Sequence, residues 1–432
     1  MNNKIEITSG KWKFAVIFIS LIPLLPEYLA PVLAILSFIL TYSDCKNKQK
    51  AIRIGVTGRI IIVFILYSAA GLIYTANFMS TLQTVLLYLT MFLVYLSVFN
   101  IITGRRKLDF IFLGVSFSAG IAGIIAFFQY IAYVLFSNRS TYIWDFADKL
   151  VYNYLPFKVM LETPNGRMSS TFNNPNIFAE FMIMAFPFAV YYSFIGIDNI
   201  FRRISVFSIF SIAFGIAFSF SRSGYVALIF IMLFYGISKI RKYTMVITGI
   251  LSTIMICQRP VIERFFSIPA IDTSTEKRFD IWRQGVRIIM KNPVFGNGAG
   301  VENIWNLLNR NGINTPHMHN IVIQILSEGG IVGLIIFSAI IWQIMKTSII
   351  LIQEDSYAHI VGISLIAFLT GFLAAGIADF PLMTPKLISI FFLAAGVTDG
   401  ASNVYINRQP VGAFENLFSI NTYKKLKKVF QI

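Results

Sequence analysis

Two histidines stand at the end of the longest polar stretch of this chain, in the segment Thr315-Pro-His-Met-His-Asn320. His317 and His319 are two of only 3 histidines, and an apolar run begins directly after Asn320. Imidazole titrates near neutral pH and is the side chain most often used as a general base. Neighbouring arginines disfavour the imidazolium form, which leaves the ring able to accept a proton. We therefore predict a histidine base in this segment.

Two other roles for these histidines have to be weighed. A metal site needs a third or fourth ligand, and no cysteine or His-Glu-x-x-His pattern lies nearby. We predict no metal and no cofactor. A structural role is the stronger competitor, with a histidine capping the helix that starts near Asn320.

Arg222 lies in Ser221-Arg-Ser-Gly224, a short connection between two apolar runs. Arginine at such a depth costs free energy unless it faces a polar cavity or an anion. We predict that Arg222 serves function, and snorkelling to the interface is the alternative.

Arginine dominates the second long polar segment, whereas the other basic segments lean to lysine. A guanidinium grips phosphate oxygens with two hydrogen bonds, so this bias suits a lipid-linked phosphate. Pairing with acids of the same segment is the alternative interpretation. Residues 278–287 predict an amphipathic helix that ends at Asn292-Pro293. The glycines at 296–300 predict a tight turn. The arginines are Arg259, Arg264, Arg278, Arg283, Arg287 and Arg310.

Several further polar residues flank apolar runs. Asn176 opens one run, where helix-start chemistry is the simpler explanation, although a helix N-terminus also binds anions and Arg167 lies just before it. Gln324 and Glu328 predict a cavity lining at i, i+4, followed by a kink at Gly329-Gly330. Asp379 is a further acid, with a cap or turn role as its alternative.

The composition predicts an all-α polytopic membrane protein. The 432 residues are 56% hydrophobic and 13% charged, and the mean hydropathy is +0.71. The formal net charge of +16 does not indicate nucleic acid, because the basic residues fall in alternate inter-helix segments, as the positive-inside rule requires.

We predict about twelve spanning helices in a single integral membrane domain, residues 1–432, with both termini cytoplasmic. Residues 14–42 form a hairpin of two short helices turning near Glu27. The other spans are expected at 60–75, 81–101, 110–136, 176–197, 204–219, 224–238, 244–257, 321–345, 359–377 and 387–398. This topology leaves a first outer loop at 137–175, a large outer loop with the catalytic segment at 258–320, and a basic cytoplasmic tail at 399–432.

The order of these motifs resembles the O-antigen ligase and O-antigen polymerase superfamily of bacterial envelopes. The resemblance covers residues 165–345 well, whereas the first 130 residues resemble the family only in hydropathy. It is carried by Asn174-Pro-Asn176 with Phe178-Ala179, Arg222 in Ser-Arg-Ser-Gly, Arg278 with Trp282, the segment 292–298, His317-Met-His-Asn320 and the segment 324–333.

The resemblance implies a metal-independent, inverting glycosyltransferase of GT-C type in the bacterial cytoplasmic membrane. Its donor would be an oligosaccharide on undecaprenyl diphosphate, and its acceptor a lipid-linked glycan or lipid A-core. Catalytic roles carry over to Arg222, Arg278 and His319, with His319 as the base. His317 departs from the family pattern. We expect substrate binding by Arg167, Asn176, Arg283, His317, Asn320 and Asp379.

Tyr142, Trp144, Tyr152 and Tyr154 would hold the glycan or form an interfacial aromatic belt. We favour a polymerase, with a ligase as the alternative. The competing class is a transporter or flippase of an anionic lipid-linked substrate, which predicts ionisable residues deep in several spans. A scaffold without enzymatic activity comes third. Membrane lipid is the expected surrounding, and no nucleic acid is expected.

Overall fold

A computed structural model describes residues 10–136, 166–195, 199–237, 273–354 and 356–406. Within these ranges the chain is all α-helical, with 13 α-helices and no β-strand. The helices are α1 Lys11–Leu21, α2 Ala30–Asn47, α3 Val56–Ala70, α4 Phe78–Ile101, α5 Arg105–Phe136, α6 Pro175–Ile195, α7 Asn199–Ser219, α8 Arg222–Ile237, α9 Thr273–Lys291, α10 Val301–Asn309, α11 Ile321–Ile352, α12 Ser356–Gly376 and α13 Pro385–Ala401.

Nine helices in the described part of the chain are long and apolar enough to cross a membrane, namely α2 to α7 and α11 to α13. The predicted polytopic all-α fold is therefore confirmed. Each predicted span in the described ranges corresponds to a helix, including the shorter α1 and α8. The span predicted at 244–257 lies outside the described residues.

The predicted hairpin near Glu27 is present. α1 ends at Leu21 and α2 begins at Ala30, with a short 3₁₀ turn over Glu27–Leu29 between them. Pro23 and Pro26 lie in the connection, where a missing backbone N–H breaks no helical hydrogen bond. Two antiparallel helices thus occupy the first apolar stretch.

Because successive helices of the bundle run in opposite directions, the connections between them lie at its two ends. The basic end carries Lys46, Lys48, Arg53 and Arg105, where α2 and α4 end and α3 and α5 begin. The opposite end, called the site end below, holds the connections before α6, α11 and α13. Which end faces the cytoplasm remains the prediction made from the charges.

Asp399, near the end of α13, is buried at the basic end and holds the start of α3. Its carboxylate accepts hydrogen bonds from the backbone N–H groups of Thr57 and Gly58 at 3.2 and 3.1 Å. The hydroxyls of Thr57 and Tyr95 donate to it at 2.7 and 2.6 Å. A side chain of α13 thus satisfies two of the free N–H groups with which α3 begins.

The polar segment before α11 contains two helices at the site end. The predicted amphipathic helix is α9, and it extends beyond the predicted 278–287 on both sides while stopping before Asn292-Pro293 as expected. It packs along α11. α10 was not predicted, because its nine residues are too few to show a clear period.

The glycine-rich segment 296–300 joins α9 to α10 and docks on a break in α11. Gly330 interrupts α11 with φ +60° and ψ −163°, which confirms the predicted kink. Across the break, the N–H groups of Asn297 and Gly298 donate to the carbonyls of Ser327 and Glu328 at 3.0 and 2.9 Å. The N–H of Ile331 donates to Pro293 at 2.9 Å. The polar backbone exposed by the kink is thereby satisfied.

Glycine is required where these two segments meet. A Cβ on Gly296 would overlap the carbonyl of Glu328, and one on Gly330 would overlap the carbonyl of Val294. Both residues also have positive φ, which disfavours other side chains. The turn predicted for residues 296–300 is therefore a close backbone-to-backbone contact that fixes α9 and α10 to the bundle.

Candidate functional site

Both histidines of the polar segment meet one carboxylate oxygen at the site end. His317 Nε2 lies 2.8 Å and His319 Nδ1 3.1 Å from Asp379 Oδ1. Asp379 follows α12, and its backbone neighbour Phe380 donates its N–H to the same oxygen at 3.0 Å. Residues 60 positions apart are thus joined by the packing of α12 beside the start of α11.

The carboxylate determines which ring nitrogens carry protons. An ionised carboxylate only accepts hydrogen bonds, so His317 Nε2 and His319 Nδ1 must both be donors. In neutral His319 the remaining nitrogen, Nε2, is then an acceptor. This is the tautomer that a general base needs, and it is oriented by an acid in the way a catalytic triad orients its histidine.

The two histidines differ in burial. The His317 side chain is 9% exposed, whereas that of His319 is 22% exposed. His317 Nδ1 is buried and has no hydrogen-bond partner among the described residues. His319 is therefore the ring that a substrate can reach, while His317 lies behind it as a second donor to Asp379.

Burial and hydrogen bonding shift the pKa of two of these groups. Burial lowers the pKa of His317, although its hydrogen bond to Asp379 acts in the opposite direction. The positive charge of Arg278 adds to the lowering. For Asp379, burial alone would raise the pKa, but the hydrogen bonds from both histidines outweigh it and hold the pKa well below its usual value. The site thus contains a neutral His317 and an ionised Asp379 at neutral pH.

Trp282 of α9 holds the histidine segment from the other side. Its indole Nε1 lies 3.1 Å from the carbonyl oxygen of Met318 and 3.3 Å from that of His319. His319 has φ +46°, in the left-handed region that is uncommon for residues other than glycine. Contacts on both sides are needed to keep a residue in such a conformation.

Gln324 and Glu328 on α11 provide the second support. Gln324 Oε1 accepts the N–H of Met318 at 2.8 Å, and its Nε2 donates to Glu328 Oε1 at 2.6 Å. Because a backbone N–H only donates, Met318 requires the oxygen of the Gln324 amide, and the amide nitrogen is left to donate to Glu328. The i, i+4 pair predicted as a cavity lining therefore positions the peptide between the two histidines.

Arg278 brings positive charge to the same place. It lies at the start of α9, four residues before Trp282, and it interacts electrostatically with both His317 and Glu180. The structure thus brings Arg278, His317, His319 and Asp379 together, as the predicted site requires. Their catalytic and binding roles remain predictions.

Sequence reasoning missed Glu180. This acid is only 1% exposed on α6 and interacts electrostatically with Asp379 as well as Arg278. Its Oε1 has no hydrogen-bond partner among the described residues. An isolated acid five residues into an otherwise apolar helix was the available signal.

Arg167 and Asn176 form a second cluster at the site end. Arg167 Nε donates to the carbonyl of Ser219 at 2.9 Å, and its Nη2 donates to Asn176 Oδ1 at 2.5 Å. Asn176 lies four residues before Glu180, so both lie on the same face of α6. α6 therefore links this cluster to the histidine site.

Arg222 is the first residue of α8, directly after the turn that Arg167 contacts. A Cβ on Gly224 would lie 3.0 Å from the Cβ of Ala179, so the first turn of α8 packs against α6 beside Glu180. This placement puts Arg222 at a helix end near the second cluster. The same location is consistent with the alternative, in which Arg222 snorkels to the membrane interface. The catalytic role of Arg222 remains a prediction.

Two predicted binding residues have other contacts in the structure. Arg283 is 76% exposed and lies 3.3 Å from Asp280, which is the ion pairing considered as the alternative. Asn320 caps α11, accepting the N–H groups of Val322 and Ile323 at 3.0 Å, so the helix is capped by Asn320 and by neither histidine. The Asn320 amide also donates to the carbonyl of Ile377 at 2.8 Å.

The same three side chains could hold a metal ion. His317, His319 and Asp379 offer ligand atoms within 4.8 Å of one another. Asp379, a possible third ligand, comes from a distant part of the chain, where no local sequence pattern shows it. That no metal binds here stays a prediction. In this structure, however, His317 Nε2 and His319 Nδ1 are both at hydrogen-bond distance from Asp379.

Some predicted site residues lie outside the described residues. These are Tyr142, Trp144, Tyr152 and Tyr154 of the first outer loop, and Arg259 and Arg264 of the second.

Comparison with known proteins gives one family match. Residues 205–338 match the family model described as O-antigen ligase. The matched segment extends from α7 through Arg222, α9 and the histidines into α11. No curated protein matches this chain. The match supports the O-antigen ligase and polymerase superfamily and, in general terms, a glycosyltransferase-like membrane enzyme.

Proposed function

We propose that this protein transfers a glycan from undecaprenyl diphosphate to an acceptor hydroxyl at the outer face of the cytoplasmic membrane. The observation that carries the proposal is the shared Asp379 oxygen, which leaves His319 Nε2 as an acceptor at the more exposed edge of the site. A membrane protein with such a base beside Arg278 has the parts needed to activate a hydroxyl near an anionic leaving group.

The proposed reaction needs two kinds of assistance. His319 takes the proton of the acceptor hydroxyl as the oxygen attacks the sugar carbon, which inverts that carbon. The diphosphate leaves with the bonding electrons, and Arg222 and Arg278 stabilise its developing charge without a metal. Asp379 stays ionised throughout the reaction and orients His319, as the acid of a triad does.

The identity of the acceptor separates the two family activities. We propose polymerisation of lipid-linked repeat units as the first assignment. Ligation to lipid A-core is the second, because the matching family model is described as O-antigen ligase. Both use the same donor and the same base.

Transport of an anionic lipid-linked substrate is the alternative from another class. It predicts ionisable residues at mid-membrane. The buried ionisable residues described within spans lie towards helix ends and not at helix middles, namely Asp44, Asp109, Glu180, Glu328, Lys386 and Asp399. They lie at both ends of the bundle and away from its middle, which counts against passage of a substrate through the bundle.

Reconstitution with a lipid-linked oligosaccharide tests the proposal. Gel electrophoresis of the products should show a ladder of longer glycans for a polymerase, or a shift of added lipid A-core for a ligase. Activity should persist in the presence of a chelator. Absence of both products with folded protein would contradict glycan transfer, and loss of activity with chelator would instead indicate a metal at His317, His319 and Asp379.

A further inference from the structure

The exposed surface of α9 has two different stripes. Phe279, Val286 and Met290 are spaced i, i+7 and i+11, so they lie on one stripe, and they are 51%, 51% and 76% exposed. Arg283 and Arg287 form the neighbouring stripe. The name lipid-facing surface is used below for these five residues.

The opposite face of α9 is already occupied. Ile281 and Ile288 are buried with Met318 in a small apolar cluster. A Cβ on Gly285 would lie 2.6 Å from Ile323 Cγ2, so α9 packs tightly along the first turns of α11. The exposed apolar stripe is therefore additional to the face that holds the helix in the fold.

The length of α11 limits where the hydrocarbon core can end along this helix. Its 32 residues extend about 48 Å, whereas the hydrocarbon core of a bilayer is about 30 Å thick. Several turns must therefore lie outside the core. If the basic side chain Lys346 marks the boundary at the other end, the core covers about 20 residues from it, so about half of the excess lies at the site end. The break at Gly330 is then within about one helical turn of the interface.

The segment after α9 reaches this same level. Pro293 contacts Ile331 just beyond the break, and Phe295, 58% exposed, accepts a hydrogen bond from Tyr74 at the site end of α3. Tyrosines are enriched at the membrane interface. The end of α9 therefore lies beside the lipid-exposed ends of α3 and α11.

We infer that the lipid-facing surface rests on the leaflet at the site end, with its apolar stripe in the acyl region and its arginines on anionic headgroups. Apolar side chains bordered by arginines are the arrangement of interfacial helices. Arg287 supplies the charge complementarity together with Arg283, whose ion pair with Asp280 is itself exposed, and the apolar stripe continues the lipid-exposed surface of the spanning helices. The bilayer thus supports the helix that carries Arg278 and Trp282.

Fluorescence quenching in the full-length protein tests this inference without measuring activity. A polarity-sensitive probe is attached to Met290→Cys in a chain whose two native cysteines are replaced, and the protein is placed in nanodiscs. Brominated lipids should quench the probe, and aqueous iodide should not. The matched control is Asn311→Cys, which is exposed beyond α10 and should respond to iodide alone.

The charge component is tested with the same probe. Brominated phosphatidylglycerol should quench at a lower mole fraction than brominated phosphatidylcholine, by about fivefold, because the ion pair of Arg283 with Asp280 leaves the two arginines one net positive charge, worth about 1 kcal/mol. The double variant Arg283→Gln/Arg287→Gln should remove that difference and retain the quenching itself. Iodide quenching at Met290→Cys equal to that of the control would overturn the inference, as would equal quenching by the two lipids in the unsubstituted surface.

Discussion

At the scale of single residues, the shared contact of Asp379 makes two neighbouring histidines chemically different. Both rings donate to the same oxygen, yet only His319 presents its other nitrogen at an exposed edge. His317 has its second nitrogen enclosed. Residue type and spacing alone do not separate them, because both lie beside Met318 in one short polar segment. Only the family resemblance favoured His319 as the base.

Replacement of His319 should show its role as the base. His319→Ala should reduce glycan transfer by about 10²–10⁴-fold, the usual contribution of general-base catalysis, with donor binding nearly unchanged. The matched variant His317→Ala should have a milder effect, because Asp379 and Trp282 still hold His319. Transfer rates and donor affinity of the two purified variants provide the measurement, and an active His319→Ala protein would exclude this base.

Arg222→Lys tests whether the shape of the guanidinium matters. We expect the variant to lose most activity although it keeps the charge, because lysine cannot form the two-bond contact with a diphosphate. Transfer is measured with the same lipid-linked donor, and the control is Arg106→Lys, an exposed arginine at the basic end. Transfer at the unsubstituted rate would leave snorkelling as the explanation of Arg222.

The buried imidazole of His317 should make stability depend on pH. Its lowered pKa means that the unfolded chain takes up a proton below about 6.5 while the folded protein does not. The free energy of unfolding should be fully retained above about 6.5 and should fall as the pH drops below that value. Asp379 does not act in this range, because its pKa is held low and its contribution is present above about 3.9.

Thermal unfolding in nanodiscs at pH near neutrality and near 5 measures this effect. His317→Gln should narrow the difference in melting temperature between the two conditions, since glutamine can still donate to Asp379 but does not titrate. An unchanged difference would show that His317 is not the group responsible.

At the scale of helices, the break in α11 and the glycine-rich segment form one unit. The sequence predicted the kink from Gly329-Gly330 and the turn from the glycines at 296–300, but it gave no sign that the two contact each other. Hydrogen bonds between backbones depend on no side-chain type, so a partner 30 residues away leaves no pattern in composition or spacing. α10 was missed for a different reason, because its 9 residues are too few to show a clear period.

Gly330→Ala should destabilise this unit. Its positive φ alone costs about 1–3 kcal/mol for another residue, and a Cβ would also overlap the carbonyl of Val294. We expect a lower melting temperature and lower transfer, because α9 would lose its fixed position. Gly236→Ala in α8 is the control, since a Cβ there meets no atom within 4 Å, and it should be neutral in both measurements.

At the scale of the whole molecule, hydropathy predicted the helices and the order of motifs predicted which polar residues matter. Spans of about 20 apolar residues are determined by the thickness of the bilayer, so they can be read locally. Contacts such as Asp379 with His319 depend on the packing of α11 beside α12, which no local pattern encodes. Glu180 left a local signal as an isolated acid in an apolar helix, but its interactions with Arg278 and Asp379 could not be predicted from it. Asp379 was likewise assigned a binding role without its histidine partners.

The orientation of the bundle can be tested by cysteine accessibility. Lys50→Cys lies at the basic end and should resist impermeant maleimide applied to intact cells, because the positive-inside rule places it in the cytoplasm. Asn311→Cys at the site end should be labelled under the same conditions. Labelling of Lys50→Cys from outside would reverse the topology and with it the location of the site.

The contact of Asp399 with α3 has a consequence for biosynthesis. The groups it joins are separated by 342 positions. Most of the chain must therefore be synthesised before the first turn of α3 can form its hydrogen bonds with Asp399. Until α13 inserts, the N–H groups of Thr57 and Gly58 lack this partner. Truncated products that end before α13 would retain this defect, and the quality-control proteases of the membrane could distinguish them from finished molecules by it.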